Sequence, residues 1–153
     1  MSTFETPRRQ NLADYIGDGL VRTRRLETTL PDVQYCIELT APDQNPLTGD
    51  TQQVIMCMAD LDGGHLVDAQ AYHVVAGTGT TEIQIHNLTQ AVDMLSTPVT
   101  IDSGELDSYD ATTPRVIDLA NDLVVRQDQI AIDVDDVQAN AQGLYVVITF
   151  GIA

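Results

Sequence analysis

The sequence predicts an all-β chain: a jelly-roll-like or Greek-key antiparallel β-sandwich of about eight strands behind an extended N-terminal arm. Three observations predict it. From Asp32 onward, apolar residues recur at alternate positions, which is the strand period. Clusters of Gly, Pro, Asn and Asp separate these runs, as turns require. No heptad repeat occurs, which excludes a coiled-coil stalk. The 153 residues make one domain, long enough to bury roughly 70% of the surface an unfolded chain exposes. A content of 43% hydrophobic and 20% charged residues is globular rather than disordered.

Residues 1–30 read as an arm, and residues 31–153 as the sandwich. Asn11 caps at most one or two helical turns carrying Leu12, Tyr15, Ile16 and Leu20, because Gly17 and Gly19 weaken the helix. Residues 21–30 read as extended, with Arg22 and Arg24 on one face, and Pro31 closes the segment. The first strand alternates Val33, Tyr35, Ile37 and Leu39 with polar neighbours, and a turn-rich loop, 41–51, follows. Residues 53–59 are apolar on both faces, which predicts a central strand. Asp60-Leu61-Asp62-Gly63-Gly64 predicts a tight turn, 65–75 a long strand, and Gly77-Thr78-Gly79 a hairpin turn. Residues 82–88 alternate again, and short strands are expected at 92–95 and 98–102. Pro114 and the apolar pair Val116-Ile117 suggest that the long connection 103–128 packs across an end of the sheets, with one helical turn along it. Residues 129–135 and 144–150 supply the last two strands.

Charge is distributed unevenly. There are 7 Lys+Arg, all arginine, against 23 Asp+Glu, for a net charge of −16. Residues 1–25 hold Arg8, Arg9, Arg22, Arg24 and Arg25 against three acids, a net of +2. The remainder holds Arg115 and Arg126 against twenty acids, a net of −18. A body this acidic repels phosphate, so nucleic acid is not an expected partner. Its self-repulsion weakens in salt, since the Debye length falls to about 3 Å at 1 M. A lysine-free, Asp-rich chain therefore fits a high-salt protein; codon bias in a GC-rich genome is the other reading. No apolar run is long enough to span a bilayer, and residues 1–10 show no apolar leader. No membrane partner is expected. The five arm arginines are the expected partner-binding residues, suited to an acidic partner or another copy of the chain.

Motifs for catalysis are not found. His65 and His73 fall eight apart on one face of a single predicted strand, too far along it to share a metal, and His86 points with Glu82 and Gln84 on another. The loop beginning at Asp60 resembles the opening of a calcium loop, but its twelfth position is Ala71 rather than Glu. The acids Asp133, Asp135 and Asp136, and the group Asp102, Glu105, Asp107 and Asp110, leave open a structural divalent cation such as Ca²⁺ at a subunit boundary. No cofactor is expected otherwise. The glycines at 77 and 79 precede a strand, whereas a phosphate cradle needs a helix N-terminus. No Gly-x-Ser-x-Gly elbow occurs. Cys36 and Cys57 sit in apolar stretches, expected as buried free thiols or as a cross-strand disulfide. The chain is not expected to be an enzyme.

Residues 72–150 resemble a β-sandwich module of tailed-virus virion structural proteins. The resemblance is carried by Gly77-Thr78-Gly79-Thr80-Thr81, Ile83-Gln84-Ile85-His86-Asn87-Leu88-Thr89, Met94-Leu95-Ser96-Thr97 and Ile101-Asp102-Ser103-Gly104-Glu105. Val116-Ile117-Asp118, the run Asp128-Gln129-Ile130-Ala131-Ile132-Asp133-Val134-Asp135 and Gly143-Leu144-Tyr145-Val146-Val147-Ile148-Thr149-Phe150 complete it. It covers about half the chain and is most similar to capsid decoration, or cement, proteins. The resemblance implies a homotrimer on the outer capsid surface of a virion, bound to the major capsid protein. A tail, fibre or host-recognition module, with the 41–51 loop as its binding site, is the alternative it implies.

Overall fold

A computed structural model describes residues 32–152. The arm and its five arginines lie outside the described residues. Within them the chain is all-β and antiparallel. Ten strands follow in order: β1 (Val33–Thr40), β2 (Gly49–Met56), β3 (His65–Tyr72), β4 (Thr81–Asn87), β5 (Val92–Asp93), β6 (Leu95–Thr97), β7 (Val99–Ile101), β8 (Val116–Ile117), β9 (Gln129–Asp136) and β10 (Leu144–Gly151). One sheet has the order β1-β10-β3, and the other β2-β9-β4-β5, with β7 also on β4. β6 and β8 form a small third sheet.

The expected two-sheet sandwich is present, but its pairing differs from a chain of hairpins. β1, β2, β3 and β4 alternate between the sheets, and none of the first three pairs with the next in sequence. The connections 41–48, 57–64 and 73–80 are therefore crossovers. The glycine turn at 77–79 is one of them rather than the hairpin turn expected. Gly77 is required there by close approach: a Cβ on it would sit 2.2 Å from the Ala139 carbonyl oxygen and 2.7 Å from the Ala141 amide nitrogen. Its own N–H donates to Gln138 Oε1 at 2.6 Å. The buried Gln138 amide also donates to the Asp102 carbonyl at 2.6 Å, tying two loops to one side chain.

The core lies between the inner faces. Leu66, Ala69, Ala71, Leu144, Val146, Ile148 and Phe150 of the first sheet meet Ile83, Ile85, Ile130, Ile132 and Val134 of the second. Each of the Leu, Val, Ile and Phe side chains among them contributes about 1.5–3 kcal/mol by leaving water. β3 carries a one-residue bulge at Val67, since Asp68 faces Thr149 while Leu66 faces Phe150. A single extra residue reverses which face later side chains occupy. Leu66 thus points inward, and so do Ala69, Ala71 and His73. The bulge overturns the expectation that His65 and His73 share a face.

Two further expectations are corrected. Residues 53–59 do not form a central strand; β2 is the edge of its sheet, and most of its side chains are exposed. The long connection does not cross an end of the sandwich. It runs along the outer edge of β3: Leu66 N–H donates to Asp122 O at 2.8 Å, Val124 N–H to Gly64 O at 2.9 Å, Ser108 N–H to Ala71 O at 3.0 Å and His73 N–H to Leu106 O at 2.7 Å. The connection thereby takes the place a fourth strand would fill and covers an otherwise open edge. In place of a helical turn, its Val116 and Ile117 form β8. Arg115 fastens it, donating from Nε to Asp68 Oδ1 at 2.9 Å and from a terminal nitrogen to the same oxygen.

Candidate functional site

The expected partner-binding residues, Arg8, Arg9, Arg22, Arg24 and Arg25, lie outside the described residues. The body shows what they would have to complement. The outer face of the second sheet carries an acidic field. Partial burial, then the neighbouring charges of Glu82, Asp133, Asp50 and Asp93, push the Asp135 carboxyl above its usual range. His86 stands in this field with Nδ1 2.7 Å from Asp93 Oδ1. On the first sheet the outer face differs. Tyr72 and Tyr145 stack with centroids 4.9 Å apart and planes 5° from parallel. Tyr145 donates to Glu38 Oε2 at 2.6 Å, which pushes its phenol up to about 12.

The histidines are not brought together. His65 is exposed and lies 3.0 Å from Asp122 Oδ1. His73 is buried between the ends of three strands. Its Nδ1 is 2.7 Å from the Gly143 carbonyl and its Nε2 2.7 Å from Thr81 Oγ1. A carbonyl only accepts, so Nδ1 carries the hydrogen and Nε2 accepts from the Thr81 hydroxyl. Thr81 Oγ1 in turn accepts the Gln138 N–H at 3.0 Å. Burial lowers the His73 pKa, against the raising effect of the Gly143 carbonyl. This chain of bonds leaves no lone pair to offer a ligand; it joins β3, β4, β10 and the loop after β9.

The acids considered for a cation mostly close turns. Asp102 Oδ2 accepts Thr112 N–H at 2.7 Å, which holds its carboxyl below the usual range. Asp107 caps Tyr109 N–H, Asp136 its neighbour Val137, and Asp133 the Thr51 N–H. Asp62 of the calcium-like stretch accepts Arg126 N–H, beside the 3-10 turn Ala59–Leu61. Among the described residues no group of three or more His, Cys, Asp and Glu side chains is placed to hold a metal.

Asp128, given no role of its own by the sequence, is buried. Its Oδ2 accepts Asn87 Nδ2 at 2.9 Å, Gln90 Nε2 at 2.5 Å and Val125 N–H at 3.0 Å. Three donors satisfy it without a cation. The cysteines are both free, but only Cys57 is buried; Cys36 faces outward from β1. Burial, then the Asp128 charge, raises the Cys57 thiol to about 11. Cys36 Sγ lies 3.9 Å from the Tyr72 hydroxyl, with no base placed to activate it among its hydrogen-bond partners.

The feature that sequence reasoning missed is the exposed edge of β2. Ile55 and Cys57 turn inward, whereas Val54, Met56 and Met58 turn outward into solvent. Their alternation was visible, but apolar residues on both faces read equally as a buried strand. Nothing in the local sequence says that, among the described residues, one side of β2 lacks a neighbour.

No family model, curated protein or solved structure matches this chain.

Proposed function

We propose that this is a non-enzymatic virion structural protein. It acts as a capsid decoration (cement) protein, trimerises and binds the major capsid protein on the outer surface to stabilise the shell. The observation that carries this reading is the division of charge: five arginines lie within residues 1–25, ahead of a remainder, 26–153, of net −18. Such an arm supplies attraction to an acidic neighbour that the body cannot supply. The bonding of the buried polar groups supports a structural role. His73, Asp128 and Gln138 are engaged by the fold itself. We read the nested order, β1 with β10 and β2 with β9, as a jelly roll whose fourth strand in one sheet is replaced by the 103–128 connection. Weak contacts repeated over a shell sum through effective concentration. The acidic surface would keep particles apart, and high salt would relieve its cost.

The alternative is a tail, fibre or host-recognition module. It draws on the turn-rich 41–51 loop, where Leu47 is 73% accessible and surface loops commonly carry binding residues. Quantitative mass spectrometry of purified particles separates the two. Decoration predicts copies in proportion to the major capsid protein, and a tail module only a few per particle. Absence from particles would sink both. Light scattering at low and high salt tests the trimer, which should persist near 2 M salt, where screening acts within about 2 Å.

A further inference from the structure

The two edges of the sandwich are treated differently. The outer edge of β3 is covered by the 103–128 connection. Among the described residues β2 pairs with β9 alone. Its stretch Gln53-Val54-Ile55-Met56-Cys57-Met58 holds no charge and no proline. Those are the devices that normally keep an open edge from pairing with another chain. Val54, Met56 and Met58 are instead 37%, 47% and 62% exposed on it. An apolar, unguarded edge calls for an occupant.

The sequence contains a segment that matches it. Were residues 21–30 extended, the two-residue period would put Arg22, Arg24, Leu26, Thr28 and Leu30 on one face. The outward face at β2 is likewise divided. Val54, Met56 and Met58 lie towards its C-terminal end. Asp50 lies towards its N-terminal end, with Asp133, Asp135, Glu82 and Asp93 gathered in the field about Asp135. Only a parallel arrangement matches both halves. Leu26, Thr28 and Leu30 then lie beside Val54, Met56 and Met58 at the same two-residue pitch, and Arg22 and Arg24 reach the acids. The antiparallel arrangement puts arginines beside methionines.

We propose that residues 21–30 of a second copy add to the edge of β2 as a parallel strand in this register. This rests on the self-association proposed above. Two sandwiches, each of net −17 over residues 31–153, repel, and the arm is the net cationic stretch that can link them. The backbone supplies ladder hydrogen bonds, and the alternating side chains supply the register.

Disulfide trapping in a Cys36→Ser background tests this, with Cys57 buried and its thiol raised to about 11. Full-length single-cysteine variants are mixed in pairs and mildly oxidised, so that any bridge joins two copies. Leu26→Cys with Val54→Cys, and Leu30→Cys with Met58→Cys, should each yield a band at twice the 16.6 kDa chain mass. Leu26→Cys with Met58→Cys, and Leu30→Cys with Val54→Cys, should not. Trapping only in these last two pairs overturns the parallel register. A Leu26→Cys/Val54→Cys double variant that bridges only within one chain overturns the second-copy assignment. No bridge in any pair, with light scattering still showing an oligomer, overturns the docking site and leaves self-association standing. No bridge and a monomer overturn both readings.

Discussion

Replacing His73 by Phe keeps an aromatic ring of similar size but removes both of its hydrogen bonds. The Gly143 carbonyl loses its 2.7 Å donor, and the Thr81 hydroxyl loses its 2.7 Å acceptor. Each buried polar group left unsatisfied costs about 1–3 kcal/mol, so the variant should lose roughly 2–5 kcal/mol. Urea unfolding at pH 7.5 in high salt reads this from the midpoint at constant slope. A second signature depends on pH. The native pKa of His73 is lowered by burial, so below the ordinary value of about 6.5 the unfolded chain binds a proton that the native one refuses. Stability is thus fully present above that pH. It falls as pH drops towards the native pKa, by up to about 1.4 kcal/mol per pH unit. The Phe variant should lack this component between pH 6.5 and 5, above the range where most carboxylates titrate. Equal pH slopes in the two proteins, or a loss below about 0.5 kcal/mol, would refute the argument that a neutral, doubly bonded histidine locks this end of the sandwich.

Gly77→Ala should destabilise by more than about 3 kcal/mol, beyond ordinary overpacking, because the new Cβ meets backbone atoms that cannot rotate away. Gly104→Ala, with open space around it but a φ of +85°, should cost only about 1–2 kcal/mol; thermal unfolding of the pair checks the contrast. A thiol reagent at pH 8 should label one cysteine per native chain, Cys36, and two after denaturation, because Cys57 is buried and its thiol is raised to about 11. Asp128→Ala should cost more than Asp128→Asn by denaturant unfolding. Ala strands three donors, whereas the Asn carbonyl can still accept from them. Arg115→Ala should cost about 1 kcal/mol or less, as its partner Asp68 is partly exposed. Its clearer effect should be faster amide hydrogen exchange in the 103–128 connection.

The sequence by itself determined the positions of the strands and the sign of the surface. Alternation marked β1, β4, β9 and β10 to within a residue or two, because a strand with one buried face must place apolar groups at every second residue. The tertiary structure decided which strands became neighbours. Tight turns look alike whether they close a hairpin or cross between sheets, so the alternation of β1 to β4 between sheets was not legible. The bulge at Val67 is a single residue with no local signature, yet it turned His73 into the core and left His65 in solvent. The exposure of Cys36 followed from its place on the outward face of β1. The burial of Asp128 likewise needed donors from residues 87, 90 and 125 to converge on it. The edge of β2, unpaired among the described residues, is the same kind of fact. A strand's own residues specify which face is apolar, but whether its edge has a neighbour depends on chain elsewhere, and non-local pairing leaves no periodicity to read.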